Sequence, residues 1–110
     1  MTKLINLTPH PIVLMDTNGQ VVETIESTGF ARAKQENTSI GSVNGFPLSQ
    51  VRFGEPEGMP APQDGVLFVV SQITANALKD QGRTEDILIV DQAVRDDQGR
   101  IIGCRGFAKV

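Results

Sequence analysis

The sequence predicts an α+β fold: a mainly antiparallel, twisted sheet or partial barrel of about seven strands, with one helix in a βαβ-like unit. Three observations predict it. Short β-branched runs alternate with turn signals at Asn18-Gly19, Asn44-Gly45 and Asp96-Asp97-Gln98-Gly99, the marks of hairpins. Residues 65–90, GVLFVVSQITANALKDQGRTEDILIV, set an unbroken apolar run, an amphipathic helix and a second apolar run in succession, as strand, crossover helix and parallel strand require. With no Trp, no Tyr and five Phe, the core must be built from Val, Ile and Leu, which suits sheets. The 110 residues fit a single domain spanning 1–110.

Residues 4–7 read as a short strand that ends at Thr8-Pro9-His10-Pro11, where each proline removes a donor and holds the preceding residue extended. Residues 12–15 and 20–25 form a hairpin about Asn18-Gly19, a pair suited to a type I′ turn. Ala31 and Ala33 alternate with Arg32 and Lys34, placing small side chains on one face and positive charge on the other. Strands near 38–43 and 46–53 flank Asn44-Gly45, with Pro47 making the second an edge. Residues 54–64, GEPEGMPAPQD, have three prolines and no apolar period, the character of a stiff loop. The next run, 66–70, lacks any polar break and reads as a strand covered on both faces. Ser71 is the N-cap of a helix over 72–81, in which Ile73, Ala77 and Leu78 form the apolar stripe. Gly82 closes that helix in the left-handed conformation. Residues 86–90 and 100–110 supply the last two strands, and Gly103 and Gly106 in the latter imply a bulge or a close backbone approach.

Composition narrows the function. A formal net charge of −3 disfavours binding to nucleic acid polymers, which relies on excess Lys and Arg to displace counterions. One Cys and one His leave no Cys/His cluster for zinc and no intrachain disulfide, so a reducing cytoplasm is expected. No cofactor, metal site or membrane span is expected. Lys3 is followed by no long apolar segment, which argues against a leader peptide.

Charge-binding chemistry has one natural place, the front of the helix. Ser71 and Thr74, with the first backbone N–H groups, form an arrangement able to grip a phosphate or carboxylate, although a plain capped helix looks the same. A helix end contributes roughly 0.3–1 kcal/mol toward holding a charge, whereas micromolar affinity needs about 8 kcal/mol. Arginines must therefore supply the rest. Arg32, Arg100 and Arg105 lie on or beside strands and offer planar forks for phosphate; their alternative is a solvated strand face. His10, held between two prolines, would shape the pocket; its alternative is a turn residue. Cys104 is read as a small buried side chain.

Three stretches, LINLTPHPIVL, GMPAPQDGVLFVVS and VRDDQGRIIGCRGFAKV, resemble those of a family of short proteins of uncharacterised activity found in phages, prophages and bacteria. The resemblance carries over no catalytic residue. It implies a context, since small phage proteins often bind and disable host components, some by sequestering nucleotide-derived immune signals. The resulting expectation is a non-enzymatic, homo-oligomeric protein of the host cytoplasm that binds a phosphate-bearing small molecule as an anti-defence device. The alternative is an interaction protein that pairs with itself or a host protein through edge strands.

Overall fold

In the computed structural model, which describes residues 2–110, eight strands and one helix succeed one another. They are β1 (Lys3–Asn6), β2 (Ile12–Met15), β3 (Val21–Ile25), β4 (Gln35–Val43), β5 (Phe46–Phe53), β6 (Val66–Val69), α1 (Gln72–Asp80), β7 (Ile87–Arg95) and β8 (Ile101–Ala108). Six strands form one sheet in the order β1-β6-β7-β8-β2-β3, while β4 and β5 pair only with each other. Antiparallel ladders join β2 to β3, β4 to β5 and β7 to β8. Parallel joints join β1 to β6, β6 to β7 and β2 to β8. The fold is thus α+β with one helix between parallel neighbours, and three parallel joints make the main sheet mixed where one was expected. Residues 8–11, in which two prolines remove N–H donors, carry the chain on from β1 to β2 without pairing them, and β1 pairs with β6. The sheet curls until its edge strands meet at one bridge, Asn6 to Ser27, and does not close into a barrel.

β6 is an interior strand between the edge strand β1 and β7, second in the sheet and not at its middle as its apolar run suggests, and its side chains alternate between two apolar layers. Phe68 and Val70 pack with Leu7, Ala31, Ala75, Leu78 and Ile87 under the helix. Val69 packs with Ile12 and Cys104 on the other face, with Leu14, Ile25, Leu88 and Phe107 around them. Both faces of β6 are covered, as its unbroken apolar sequence requires. Burial also pushes the Cys104 thiol up from its ordinary range, so this is an inert core side chain.

Ser71 caps α1 as its hydroxyl accepts from the Thr74 backbone N–H at 3.3 Å. At the other end Gly82, at φ 81°, donates to Lys79 O, and Arg83 N donates to Leu78 O, a Schellman closure. The buried stripe is Thr74, Ala75, Ala77 and Leu78, whereas Ile73 is 41% exposed. Ile73 is therefore not the core position its spacing suggests, because residues 29–32 cross the helix beside Thr74 and rotate the buried face toward it.

The turns differ in kind. Asn44 and Gly45 both adopt positive φ, 51° and 84°, giving the type I′ turn expected there. At Asn18-Gly19 only the glycine does so; Asp16 instead accepts the Asn18 and Gln20 N–H groups on its carboxylate. Asp96 does the same for Gln98 and Arg100, so two Asp-x-x-Gly turns share one construction.

Residues 54–64 are pinned at two interior points, Glu57 and Pro60. The backbones of Arg32 and Glu57 exchange hydrogen bonds of 2.9 and 2.7 Å. Arg83 grips both oxygens of Asp86, at 3.1 and 2.8 Å, donates to Pro60 O at 2.9 Å, and lies over the Phe68 ring. These hydrogen bonds from Arg83 hold the Asp86 carboxyl below its usual range, against a smaller opposing effect of burial. A depressed folded pKa means that the unfolded chain takes up the proton first, so this stabilisation is present above about pH 4 and is lost as pH falls further. Arg83→Ala is expected to cost about 1–3 kcal/mol at pH 7, since it strands a mostly buried carboxylate and a carbonyl. Urea denaturation should show the difference from wild type shrinking below pH 4; a difference independent of pH would contradict this role.

The extents are 49 × 39 × 19 Å and the radius of gyration is 16.5 Å, against roughly 13 Å for a compact chain of this length. The β4–β5 hairpin accounts for the elongation, because it projects from the body as a two-stranded arm.

Candidate functional site

The front of α1 is occupied by the protein itself. Thr74 is 1% exposed; its hydroxyl donates to Ala31 O at 3.2 Å and receives the Ser71 hydroxyl at 3.0 Å. Thr74 is poorly placed to hold an anion, because the side chain is buried and its one O–H donor is spent on Ala31 O. Ser71 is half-buried and used as the cap.

The cations expected around that point lie apart. Arg32 follows Ala31 and so stands near the helix front, but its Nε is 3.5 Å from the Glu57 carboxylate, with both side chains exposed. Arg100 pairs with Asp96 at 3.2 Å in the β7–β8 turn. Arg95, at the end of β7 beside that turn, is seven residues beyond Leu88, the last partner of β6, or about 23 Å along the strand. Arg105 is exposed on β8, between Cys104 and Gly106, and enters none of the ion pairs among the described residues. His10 is exposed and serves through its backbone, its carbonyl accepting from Asn6 Nδ2 at 2.8 Å. Topology thus leaves the expected anion site without convergence: Arg100 is remote and Arg32 is already paired.

Two concavities stand out. One, of about 740 Å³, lies at the carboxyl end of α1, where Asp64, Glu85 and Asp86 make its wall acidic. The other, of about 510 Å³, lies at the base of the arm and sets Arg32 and Lys34 against Glu55 and Glu57. No group of three His, Cys, Asp or Glu side chains among the described residues could hold a metal ion, and no described helix is long and apolar enough to cross a membrane.

No protein-family model, curated protein or solved structure matches the chain.

The arm is the feature that sequence reasoning did not single out. Across a hairpin, paired residues share a face, and faces alternate along each strand. One face therefore carries the pair Val43–Phe46, then Leu48 opposite Gly41, then Thr38–Gln50 and Glu36–Arg52. A bulge between Ser39 and Gly41 adds Ile40 opposite Leu48, with Gly41 at φ 136°, a conformation open to glycine. The outer half of this face is consequently apolar, and it lies open: Phe46 is 70% exposed, Ile40 55%, Val43 52% and Leu48 41%. Only Phe53, at the base beside α1, is half-buried. One signal was present in the sequence. Gln35 to Ser39 and Ser42 are polar on both faces of β4, so this strand offers no face to a core.

Proposed function

We propose that this protein acts by binding another protein surface through the β4–β5 arm, with the six-stranded body as its rigid mount. The observation that carries this reading is an arm packed against nothing along nearly all its length while presenting Ile40, Val43, Phe46 and Leu48 to solvent. A lone two-stranded hairpin is marginal in water, and contiguous exposed apolar residues on a protrusion mark an interaction site. Both long edges of the arm also offer unpaired backbone groups to an incoming strand. The context implied by the phage-family resemblance, a small protein that engages a host component, is compatible with such a device.

The test is amine-directed cross-linking in cells that express the chain, comparing wild type with Phe46→Ser/Leu48→Ser. The double variant should keep the body's thermal transition within about 2 °C, because surface substitutions away from packing cost little, and should lose the cross-linked adducts of wild type. Adducts undiminished in a folded variant would refute the arm as the binding element. The reading of a protein that sequesters a phosphate-bearing small molecule draws support from the 510 Å³ space beside Arg32 and Lys34, which is large enough for a nucleotide-sized guest. Glu55 and Glu57 on the same wall oppose it. Thermal shift with a panel of nucleotides and cyclic dinucleotides separates the two, the arm reading predicting no rise in melting temperature.

A further inference from the structure

We infer that a second copy of this chain covers the arm by reciprocal exchange, the β4–β5 hairpin of each copy lying across the body of the other. The inference rests on the arm reading above and names the partner. Surface area points to it. The chain exposes 7520 Å², whereas a compact monomer of 11.9 kDa exposes roughly 5,900 Å². The excess, roughly 1,600 Å² by that scaling, exceeds the ~800 Å² per partner that a standard stable interface hides.

Geometry selects the mode of pairing. With β4 nine residues long, one face of the arm measures roughly 30 Å by 10 Å, or about 300 Å² in outline. Two arms stacked face to face would hide only that much on each copy, too little for a stable dimer. In an exchange each copy hides an arm face and also a seat of equal size, which doubles the footprint and approaches the required area. The body carries apolar surface for such a seat. Ile101 and Ile102 of β8 are 62% and 45% exposed and Val21 and Val22 of β3 are 59% and 69% exposed, and because neighbours along a strand point to opposite faces, each face of the sheet offers one of these side chains from β8 and one from β3. A formal charge of −3 per copy is small enough for two copies to meet without strong repulsion at physiological salt. Two-fold exchange also closes on itself and leaves no arm free to propagate a chain of copies.

Sedimentation equilibrium and small-angle scattering of the full chain, across about 1–200 μM, test the inference. The expected mass is twice 11.9 kDa, with a dimer radius of gyration of roughly 17–20 Å, that of a compact chain of doubled length. Phe46→Ser/Leu48→Ser should raise the dissociation constant at least tenfold, while Val51→Ser on the opposite arm face should change it less. Amide exchange supplies a second readout, since protection of residues 36–43 should rise with concentration in wild type and vanish in the double variant. A wild-type chain that is monomeric throughout would overturn the second-copy inference while leaving the arm available to a different protein. A dimer unaffected by the double variant would overturn this inference and the arm reading together. An elongated dimer, with a radius of gyration beyond roughly 25 Å, would overturn reciprocal exchange in favour of tip-to-tip contact.

Discussion

Asn6→Leu is expected to lower stability by about 2–4 kcal/mol, from the donors and acceptors it strands, a large share of the 5–15 kcal/mol typical of a domain. Asn6 is completely buried, and its amide is fully engaged. Nδ2 donates to His10 O at 2.8 Å and Ile25 O at 3.0 Å, while Oδ1 accepts from Thr8 N at 2.9 Å and the Thr8 hydroxyl at 2.7 Å. One side chain therefore fixes the double-proline turn and ties the end of β1 to the end of β3, where the curled sheet has a single backbone bridge. Leucine has the same branched heavy-atom skeleton and is not smaller, so the loss would come from hydrogen bonding and not from a cavity. Asn6→Asp offers a sharper check. It keeps the two acceptor contacts but turns an oxygen toward two carbonyls, so its folded-state pKa must rise above the unfolded value. The folded variant then holds its proton more tightly, and its stability should fall as pH rises above about 4, opposite in sign to the Asp86 contribution. Urea midpoints at pH 4 and pH 8 would decide it. An Asn6→Asp variant no less stable at pH 8 would mean that the network does not constrain the turn.

Gly103→Ala should cost about 1–3 kcal/mol, the usual range for forcing atoms into a packed site, and Gly103→Val should cost more. The β2–β8 joint has one register pair, Leu14 with Cys104, and it alone carries the sheet from β8 into the β2–β3 hairpin. A Cβ at Gly103 would lie 2.6 Å from Met15 Sδ and 2.8 Å from Val13 O. The methionine can swing aside, being flexible. The carbonyl cannot move unless the two strands separate. Backbone crowding should therefore dominate, and Met15→Ala should restore little of the stability lost in Gly103→Ala, as judged by thermal melts. Full rescue would show that the methionine contact, not strand separation, sets the cost.

Those two residues also show how far the sequence could be read. Gly103 and Gly106 signalled close approach within an otherwise apolar strand, and the approach is real at Gly103. The strand–helix–strand unit was legible because Ser71, Gly82 and the two apolar runs each carry a local physical signature. What stayed hidden was long range. Nothing in LINLTP indicates that β1 pairs with β6, some sixty residues on, because a parallel joint leaves no turn signal in the chain. Nor could the sequence reveal that Ala31 would cover Thr74, since that contact depends on how residues 27–32 run along the extension of β1. The arginines look alike in a sequence whether they converge or scatter; only the register of β7 against β6 and β8 separates Arg100 from the helix front. The arm was legible as a hairpin but not as a protrusion, which is a property of what fails to pack against it.

The strand order also constrains the sequence of events during synthesis. β2 and β3 can pair as soon as both have left the ribosome, but β1 has no ladder partner until β6 emerges, and the early hairpin is held to β1 only at the Asn6–Ser27 bridge until β8 does. Because such distant pairings form slowly and expose strand edges meanwhile, the nascent chain carries an unfinished sheet for most of its translation. The last strand made is the one that joins its two parts.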